Sequence, residues 1–450
     1  MGEGEARRKG VDVPLLTVLL ACVVVRAALL MVWPNLPAIR DEASYLLLAR
    51  KLAQGEGVQP APFGWLWAPL YPWFLSIHLW LLGSAELARW TQVGLSALGC
   101  ALVFRLGGRL GGRQAGLAAA WLYALEPTLV GFSTYLWSEH VYSVLLLATT
   151  ELLLWARERA GPWSAAPGAT LGLCALSRGV AVYALPFALP ALLMGRLRDP
   201  GAWRRVGFLV LGAILVIAPY STYASRKFHG FVLSDAVLGR VLWLGNNDFD
   251  PISFDYRMGA DSGAEYRALI ATGRPECPEE LGVLERNRCE IHNALAFIQA
   301  RPLLFVRRIW TREAQTFNPN SFLVRSVRLG VYPGMPAGFR DATCALVVLA
   351  HFAVLVTAAL GLFAAPRSPL KATVVGFSCL HLAAVGATVG MSRYRVPLVP
   401  LWIAFSGFFV VSPRALLRDL FGAPRRAVGA AALILAFVAL SLQYVDRGLR

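Results

Sequence analysis

The stretch VPLLTVLLACVVVRAALLMVW (residues 13–33) is apolar all round a helix and carries a single charge, Arg26. A helix with no polar face is either a membrane span or the centre of a large core. About 20 helical residues, each rising about 1.5 Å, cross a hydrocarbon layer about 30 Å thick. Runs of that kind recur at 85–106, 114–135, 138–156, 203–224, 342–364, 370–389, 394–411 and 426–443. The run 165–195 is longer and broken by Arg178, and reads as two short spans meeting outside. The expected architecture is an all-α polytopic membrane bundle of about eleven helices. A closed β-barrel would need polar alternation that these solid runs lack.

Composition agrees: 57% of the residues are hydrophobic and 16% charged, where a soluble domain carries about 25% charged. The net charge of +16 sits in short clusters between spans: Arg7, Arg8 and Lys9; Arg105, Arg109 and Arg113; Arg157 and Arg159; Arg196, Arg198, Arg204 and Arg205; Arg367 and Lys371; Arg414, Arg418, Arg425 and Arg426. Counted from a cytoplasmic N-terminus, every cluster falls on the cytoplasmic side, as the positive-inside rule requires. That placement argues for a bilayer partner and against nucleic acid. The first apolar run continues through Trp33 without a small-residue cleavage site, so it reads as an uncleaved span rather than a removed signal.

Four regions follow: a cytoplasmic tail (1–12), a transmembrane module (13–224) with a first periplasmic loop (34–84), a periplasmic loop region (225–340) and C-terminal transmembrane helices (341–450). Residues 69–83 are apolar but short, and a crossing there would turn every later basic loop outward. They are expected to lie flat in the outer interface, with Trp67, Tyr71, Trp73 and Trp80 at headgroup level. The large loop holds Asp248, Asp250, Asp255, Asp261, Glu265, Glu279 and Glu280, and helices are expected near 286–300 and 302–316. Its Cys277 and Cys289 either pair in an oxidising periplasm or stay free.

Polar residues that could carry chemistry collect at the outer ends of spans. Asp41 and Glu42 follow span one, Glu126 precedes Pro127, and Ser138-Glu139-His140 opens a span. Arg178 caps the outward hairpin, and Arg393, Tyr394 and Arg395 stand at the mouth of a late span. Ionisable groups at membrane depth are costly and are functional candidates by default. Carboxylates suit general-base work or metal binding, and guanidiniums suit phosphate. Plainer readings stand beside these. Asp41 fits a helix N-cap, Ser138 and Glu139 a cap with its first-turn acid, and Arg393 and Arg395 snorkelling anchors. Arg26 either snorkels or pairs; His140 reads as a helix-start interface residue, and His351 and His381 as packing residues.

At these residues the sequence resembles the GT-C glycosyltransferases, in the branch of the protein O-mannosyltransferases and the lipid A aminoarabinose transferases. RDEASYLLLARKLAQGEG (40–57) and PLYPWFLSIHLWLLG (69–83) resemble that family's first outer loop, with its acidic pair and Pro-rich interfacial helix. YLWSEHVYSVLLL (135–147), LGLCALSRGVAVYALPFALP (171–190) and MSRYRVPLVPLWIAF (391–405) resemble later landmarks. LWLGNND (242–248) is similar to a Gly-Asn-Asn segment of bacterial relatives. The resemblance implies transfer of a hexosyl or pentosyl unit from a polyprenyl-phosphate donor to a glycan, lipid or protein acceptor, at the periplasmic face of a bacterial inner membrane. It implies inversion, with Asp41 as general base beside Glu42 and with Glu139 orienting the acceptor. The donor phosphate would be held by Arg393 first, then Arg178, Arg395 and Tyr394. A divalent cation between Asp41 and Glu139 is compatible with the family, in which metal dependence varies. The rival readings are a transporter or flippase of lipid-linked sugars, and a ligase-type glycan transferase using His229 or His292 of the large loop.

Overall fold

The computed structural model describes residues 12–34, 36–38, 41–159, 161–247, 277–278 and 280–443. Arg7, Arg8, Lys9, Arg40, Asp248, Asp250, Asp255, Asp261, Glu265 and Glu279 lie outside the described residues. Among those described, regular structure is helical, with isolated β-bridges only.

In chain order the helices are α1 (Val13–Val32), α2 (Asp41–Ala53), α3 (Leu70–Leu82), α4 (Ala88–Leu125), α5 (Pro127–Phe132), α6 (Ser138–Arg157), α7 (Ala165–Ser177), α8 (Leu185–Leu193) and α9 (Pro200–Lys227). The second half holds α10 (Leu238–Gly245), α11 (Val283–Ala300), α12 (Pro302–Thr316), α13 (Phe322–Arg328), α14 (Ala337–Ala364), α15 (Pro369–Ala387), α16 (Val399–Val411), α17 (Pro413–Phe421) and α18 (Pro424–Leu442). The chain is a multi-pass membrane protein. Among the described residues, six helices are long and apolar enough to cross a bilayer, or seven if α16 and α17, bent by 96° at their junction, count as one span.

The run 138–156 is the single helix α6, whereas other apolar runs are helical but interrupted. Within α4 the axis breaks at Gly111–Gly112, where Gly112 has φ +74, a left-handed value that glycine adopts without a Cβ clash. Past that break the chain returns on itself: a Cβ on Gly116 would lie 2.5 Å from the Phe104 carbonyl. The runs 85–106 and 114–135 therefore contribute two antiparallel arms. The run 165–195 splits at Arg178 into α7 and α8, joined by a 3₁₀ turn over Gly179–Ala184. Close backbone approach holds α7 to α9, since a Cβ on Gly168 would meet the Leu209 carbonyl at 2.0 Å. Small residues permit such contact where lipid offers no hydrophobic drive for helix association.

One end of the bundle gathers the arginines of the short loops. Arg105 and Arg109 both reach Glu151, at 2.6 and 2.9 Å; Arg113 pairs with Asp12 at 2.6 Å, and Arg196 donates to the Arg157 carbonyl at 2.6 Å. Arg26 pairs rather than snorkels: it is fully buried and donates to the carbonyls of Tyr123 and Ala124, at 3.2 and 2.9 Å. Those carbonyls end α4, where helix geometry leaves acceptors unsatisfied and favours a cation.

The opposite end carries α2, α3 and the large loop. At 13 residues, α3 is about 20 Å long, too short to cross. It buries Tyr71 and Leu75 and leaves Trp80 75% exposed. Tyr71, expected at headgroup level, instead turns inward and donates to Gln92 Oε1 at 2.9 Å. The large loop docks on the first loop through a Leu66–Ala236 bridge, and Arg240 pairs with Glu290 at 3.1 Å in a buried contact. Cys277 and Cys289 form a disulfide. Arg308 and Arg312 clamp the Gly245-Asn246-Asn247 segment: Arg308 donates to the Asn247 carbonyl at 2.6 Å and Arg312 to Asn246 Oδ1 at 2.8 Å. Asn246 Nδ2 then donates to the Ala387 carbonyl at 2.9 Å, tying this segment to the end of α15.

Candidate active site

Helix α2 begins with two acids, and successive helical residues point about 100° apart. The two therefore meet different surroundings. Asp41 faces outward with its side chain 32% exposed, whereas that of Glu42 is 1% exposed. Glu42 accepts the Leu136 backbone N–H and lies 3.5 Å from Arg89, which is held in turn by Glu86 at 2.6 Å and by the Thr134 carbonyl. Glu42 was expected to share the catalytic role of Asp41. The structure gives it another one, as a buried strut between α2, the start of α4 and the 134–136 loop.

Asp41, Glu139, Arg178 and Arg393, far apart in the chain, come together. Arg393 Nη1 lies 2.6 Å from Asp41 Oδ2, and its Nε lies 3.5 Å from Glu139 Oε1. Arg178 Nη1 approaches the same Glu139 oxygen at 2.9 Å. Glu139 is thus shared by both guanidiniums, with its side chain 2% exposed; Arg393 is 13% and Arg178 22% exposed. Local structure sets each of them. Arg178 ends α7 with an extended φ of −150°, Glu139 lies in the first turn of α6, and Arg393 sits in a 3₁₀ turn over Ser392–Arg395. Trp137, not Ser138, occupies the cap position of α6, and Ser138 Oγ instead accepts from Tyr45 at 3.2 Å and Arg178 at 3.4 Å.

Aromatic rings wall the cations. The Arg393 guanidinium lies 5.1 Å from the Trp137 ring centre, 5.4 Å from Tyr394 and 5.6 Å from Phe322, and Arg178 lies 5.3 Å from Tyr394. Such contacts favour the charged form where water is scarce. Nε of Arg393 is buried and makes no hydrogen bond among the described residues; its 3.5 Å approach to Glu139 is an ion-pair contact only. Tyr45 was not foreseen, although it stands four residues after Asp41 and so shares its helix face. Trp137 and Phe322 left no signal beyond their aromaticity.

Arg395 does not join the cluster. It is 3% exposed and donates to the backbone carbonyls of Thr316 and Asn318, the latter at 2.9 Å. Its expected phosphate role gives way to tying the 3₁₀ turn onto the end of α12. Glu126 caps α5, accepting the Leu129 N–H at 2.6 Å. His351 and His381 pack as expected, meeting Ser441 Oγ at 3.0 Å and the Tyr142 hydroxyl at 2.7 Å; His140, expected at the interface, is instead buried and meets Ser96 Oγ at 3.1 Å. Among the described residues there is no group of three or more His, Cys, Asp or Glu side chains placed to hold a metal ion. Asp41 and Glu139 are bridged by a guanidinium, whose charge would face any cation between them, so the pair does not fit a divalent ion.

Residues 66–223 match the family model described as dolichyl-phosphate-mannose-protein mannosyltransferase. No curated protein sequence matches the chain. Among solved structures, the apo oligosaccharyltransferase of Archaeoglobus fulgidus aligns at TM-score 0.51 and 13% identity, over 96% of this chain and 56% of that one. The same organism's oligosaccharyltransferase AglB, in complex with an inhibitory peptide and a dolichol-phosphate, aligns at 0.50 and 15%, over 95% and 54%. ArnT of Cupriavidus metallidurans bound to undecaprenyl phosphate aligns at 0.39 and 16%, over 90% and 79%. The chain spans about half the length of the archaeal enzymes, at 56% and 54%. In fold the chain is similar to the oligosaccharyltransferase of Archaeoglobus fulgidus, and its residues 66–223 match the family model described as dolichyl-phosphate-mannose-protein mannosyltransferase.

Proposed function

We propose that this chain transfers a sugar from a polyprenyl-phosphate donor to an acceptor hydroxyl at the periplasmic face of a bacterial inner membrane, with inversion. One observation carries the reading: two carboxylates and two guanidiniums from four distant segments share a single ion-pair cluster. It lies at the end of the bundle opposite the basic loops, which by the positive-inside rule is the outer end. The GT-C fold and the dolichol-phosphate in the AglB complex support a lipid-phosphate donor. The transmembrane module 13–224 supplies Asp41, Glu139 and Arg178, and the C-terminal helices supply Arg393.

Without donor, the guanidinium of Arg393 holds Asp41 at 2.6 Å. A donor phosphate takes over Arg393, Arg178 braces it from the Glu139 side, and Tyr394 lines both cations. Asp41 is then free to accept the acceptor's proton as the oxygen attacks the anomeric carbon. The bond from that carbon to the phosphate oxygen breaks on the opposite face, and polyprenyl phosphate leaves with the electron pair. The arginines stabilise the charge it gathers more in the transition state than before. Glu139 keeps both arginines in register; no step is routed through a metal.

The test is turnover in lipid nanodiscs with a panel of radiolabelled polyprenyl-phosphate sugars and candidate acceptors. Asp41→Asn is expected to lower kcat by about 10²- to 10⁴-fold, the usual contribution of a general base. Undiminished turnover in a folded Asp41→Asn variant removes Asp41 as base. Movement of the intact lipid-linked sugar without cleavage would replace the enzyme reading with a transporter.

A further inference from the structure

Helix α9 presents one long face that the other described residues leave open. Leu211, Leu215, Pro219, Thr222 and Arg226 recur every three or four residues, so they line one side of the helix, and all are exposed. Leu211 is 46% and Leu215 64% exposed, with Ile214 beside them at 53%. The chemistry changes along the face. It is apolar through Pro219, carries a hydroxyl at Thr222 and ends in a cation at Arg226. From Leu211 to Thr222 the helix rises about 17 Å, close to one leaflet of a hydrocarbon layer about 30 Å thick. The cationic end meets the first outer loop, at the end of the bundle opposite the basic loops.

There the face opens into a hollow of about 540 Å³ lined by Pro219, Thr222, Tyr223, Arg226 and Lys227. Two elements build it. Tyr223 Oη accepts the Val58 N–H at 3.3 Å, and Lys227 Nζ donates to the Glu56 carbonyl at 3.2 Å, both in the turn that follows α2. An ammonium has three N–H donors, and this contact uses one of them. Arg226 makes no hydrogen bond or ion pair among the described residues. Two cations and a phenol therefore sit at headgroup level, above an apolar face as long as an acyl chain needs. Cations in a last turn also suit the open carbonyls of a helix C-terminus, but that role calls for neither the hollow nor the apolar face below it.

We propose that α9 holds one anionic phospholipid of the outer leaflet, with its phosphate between Arg226 and Lys227 and an acyl chain along Leu211, Leu215 and Pro219. Both halves of the surface select this partner. A soluble anion would meet the two charges and leave the apolar face unused. A zwitterionic lipid shares the phosphate and the chain but brings an ammonium of its own, which Arg226 and Lys227 repel. Because Tyr223 and Lys227 reach Val58 and Glu56, the bound lipid also braces the first outer loop just past α2.

The experiment titrates the purified full chain with phosphatidylglycerol or phosphatidylcholine and reads bound lipid by native mass spectrometry, with thermal midpoints recorded alongside. Wild type is expected to hold one phosphatidylglycerol about tenfold or more tighter than phosphatidylcholine. Arg226→Gln should weaken phosphatidylglycerol about fivefold, the weight of one basic side chain at an anionic lipid surface, and adding Lys227→Gln should take the loss beyond about tenfold. Arg226→Lys keeps the charge and should stay within about twofold of wild type. Leu215→Ser should cost about threefold through the acyl chain. Arg340→Gln removes an exposed cation outside α9 and should change nothing. Equal affinity for the two lipids overturns the proposal, as does wild-type binding in the Arg226→Gln/Lys227→Gln double variant. An equal loss in Arg340→Gln overturns it too, since surface charge anywhere would then suffice. So does displacement of the lipid by millimolar inorganic phosphate, which would make the hollow a site for free anions.

Discussion

Arg393→Lys keeps the charge of the site but removes its geometry, so it tests whether the cluster works by shape or by charge alone. The guanidinium reaches Asp41 through Nη1 at 2.6 Å and Glu139 through Nε at 3.5 Å while lying among Trp137, Tyr394 and Phe322. An ammonium is a point charge on a flexible stem and cannot hold two acceptors on one plane or stack between rings. One charge-assisted hydrogen bond is worth about 1.5–3 kcal/mol and the lost stacking about 0.5–1 kcal/mol. With Arg393 only 13% exposed, solvent offsets little of this. The sum, about 2–4 kcal/mol, converts at 1.36 kcal/mol per factor of ten to roughly 30- to 900-fold in kcat/KM. The assay is initial rate against donor concentration in nanodiscs, with folding checked by thermal midpoint. If Arg393→Lys retains kcat/KM within about twofold of wild type, below the weakest of these terms, the site needs only positive charge and the geometric argument fails.

Three further outcomes follow from the same contacts. Arg395→Gln removes donors to the Thr316 and Asn318 carbonyls inside the protein; it should lower the thermal midpoint while the folded fraction keeps wild-type donor KM. Glu42→Ala removes the acceptor of the Leu136 N–H and one of two carboxylates on Arg89, which keeps Glu86, so a loss of about 1–3 kcal/mol is expected in denaturant unfolding, with kcat of folded protein unaltered. Cys277→Ser with Cys289→Ser opens a short loop beside α11; limited proteolysis should reveal faster cleavage there, with a stability loss of about 2–4 kcal/mol.

The membrane fold was legible because a bilayer imposes one simple demand, sustained apolar length, and residues 13–32, 200–227, 337–364 and 424–442 meet it as single helices. The broken spans were legible only in outline. Arg178 marked the split between α7 and α8, but the return of α4 on itself depends on the left-handed φ of Gly112, one glycine among 41. Within the cluster, residue type pointed to segments that the structure brings together, but it did not separate neighbours that face different ways. Asp41 and Glu42 are chemically alike and adjacent, and only Arg89, arriving from α4, decides which one turns inward. Arg393 and Arg395 are two apart in a 3₁₀ turn, about 240° round its axis, so one of them had to face away. Which one does so is set by the Thr316 and Asn318 carbonyls, contributed by α12 and the turn after it.

Under the proposed function, the cluster's charge favours Asp41 over Glu139 as the base. Two carboxylates and two guanidiniums sum to zero, so the cluster is balanced before a donor arrives, and a phosphodiester brings one negative charge too many. Some carboxylate must then give up its partner. Glu139 is 2% exposed and held by both arginines; released, it would be a buried anion with no counter-charge, the costliest state available to it. Asp41 is 32% exposed and held by Arg393, so water can stabilise it when the phosphate takes that guanidinium. On the proposed reading the exchange runs one way, with Glu139 as the fixed anchor of both arginines and Asp41 as the carboxylate freed by the donor.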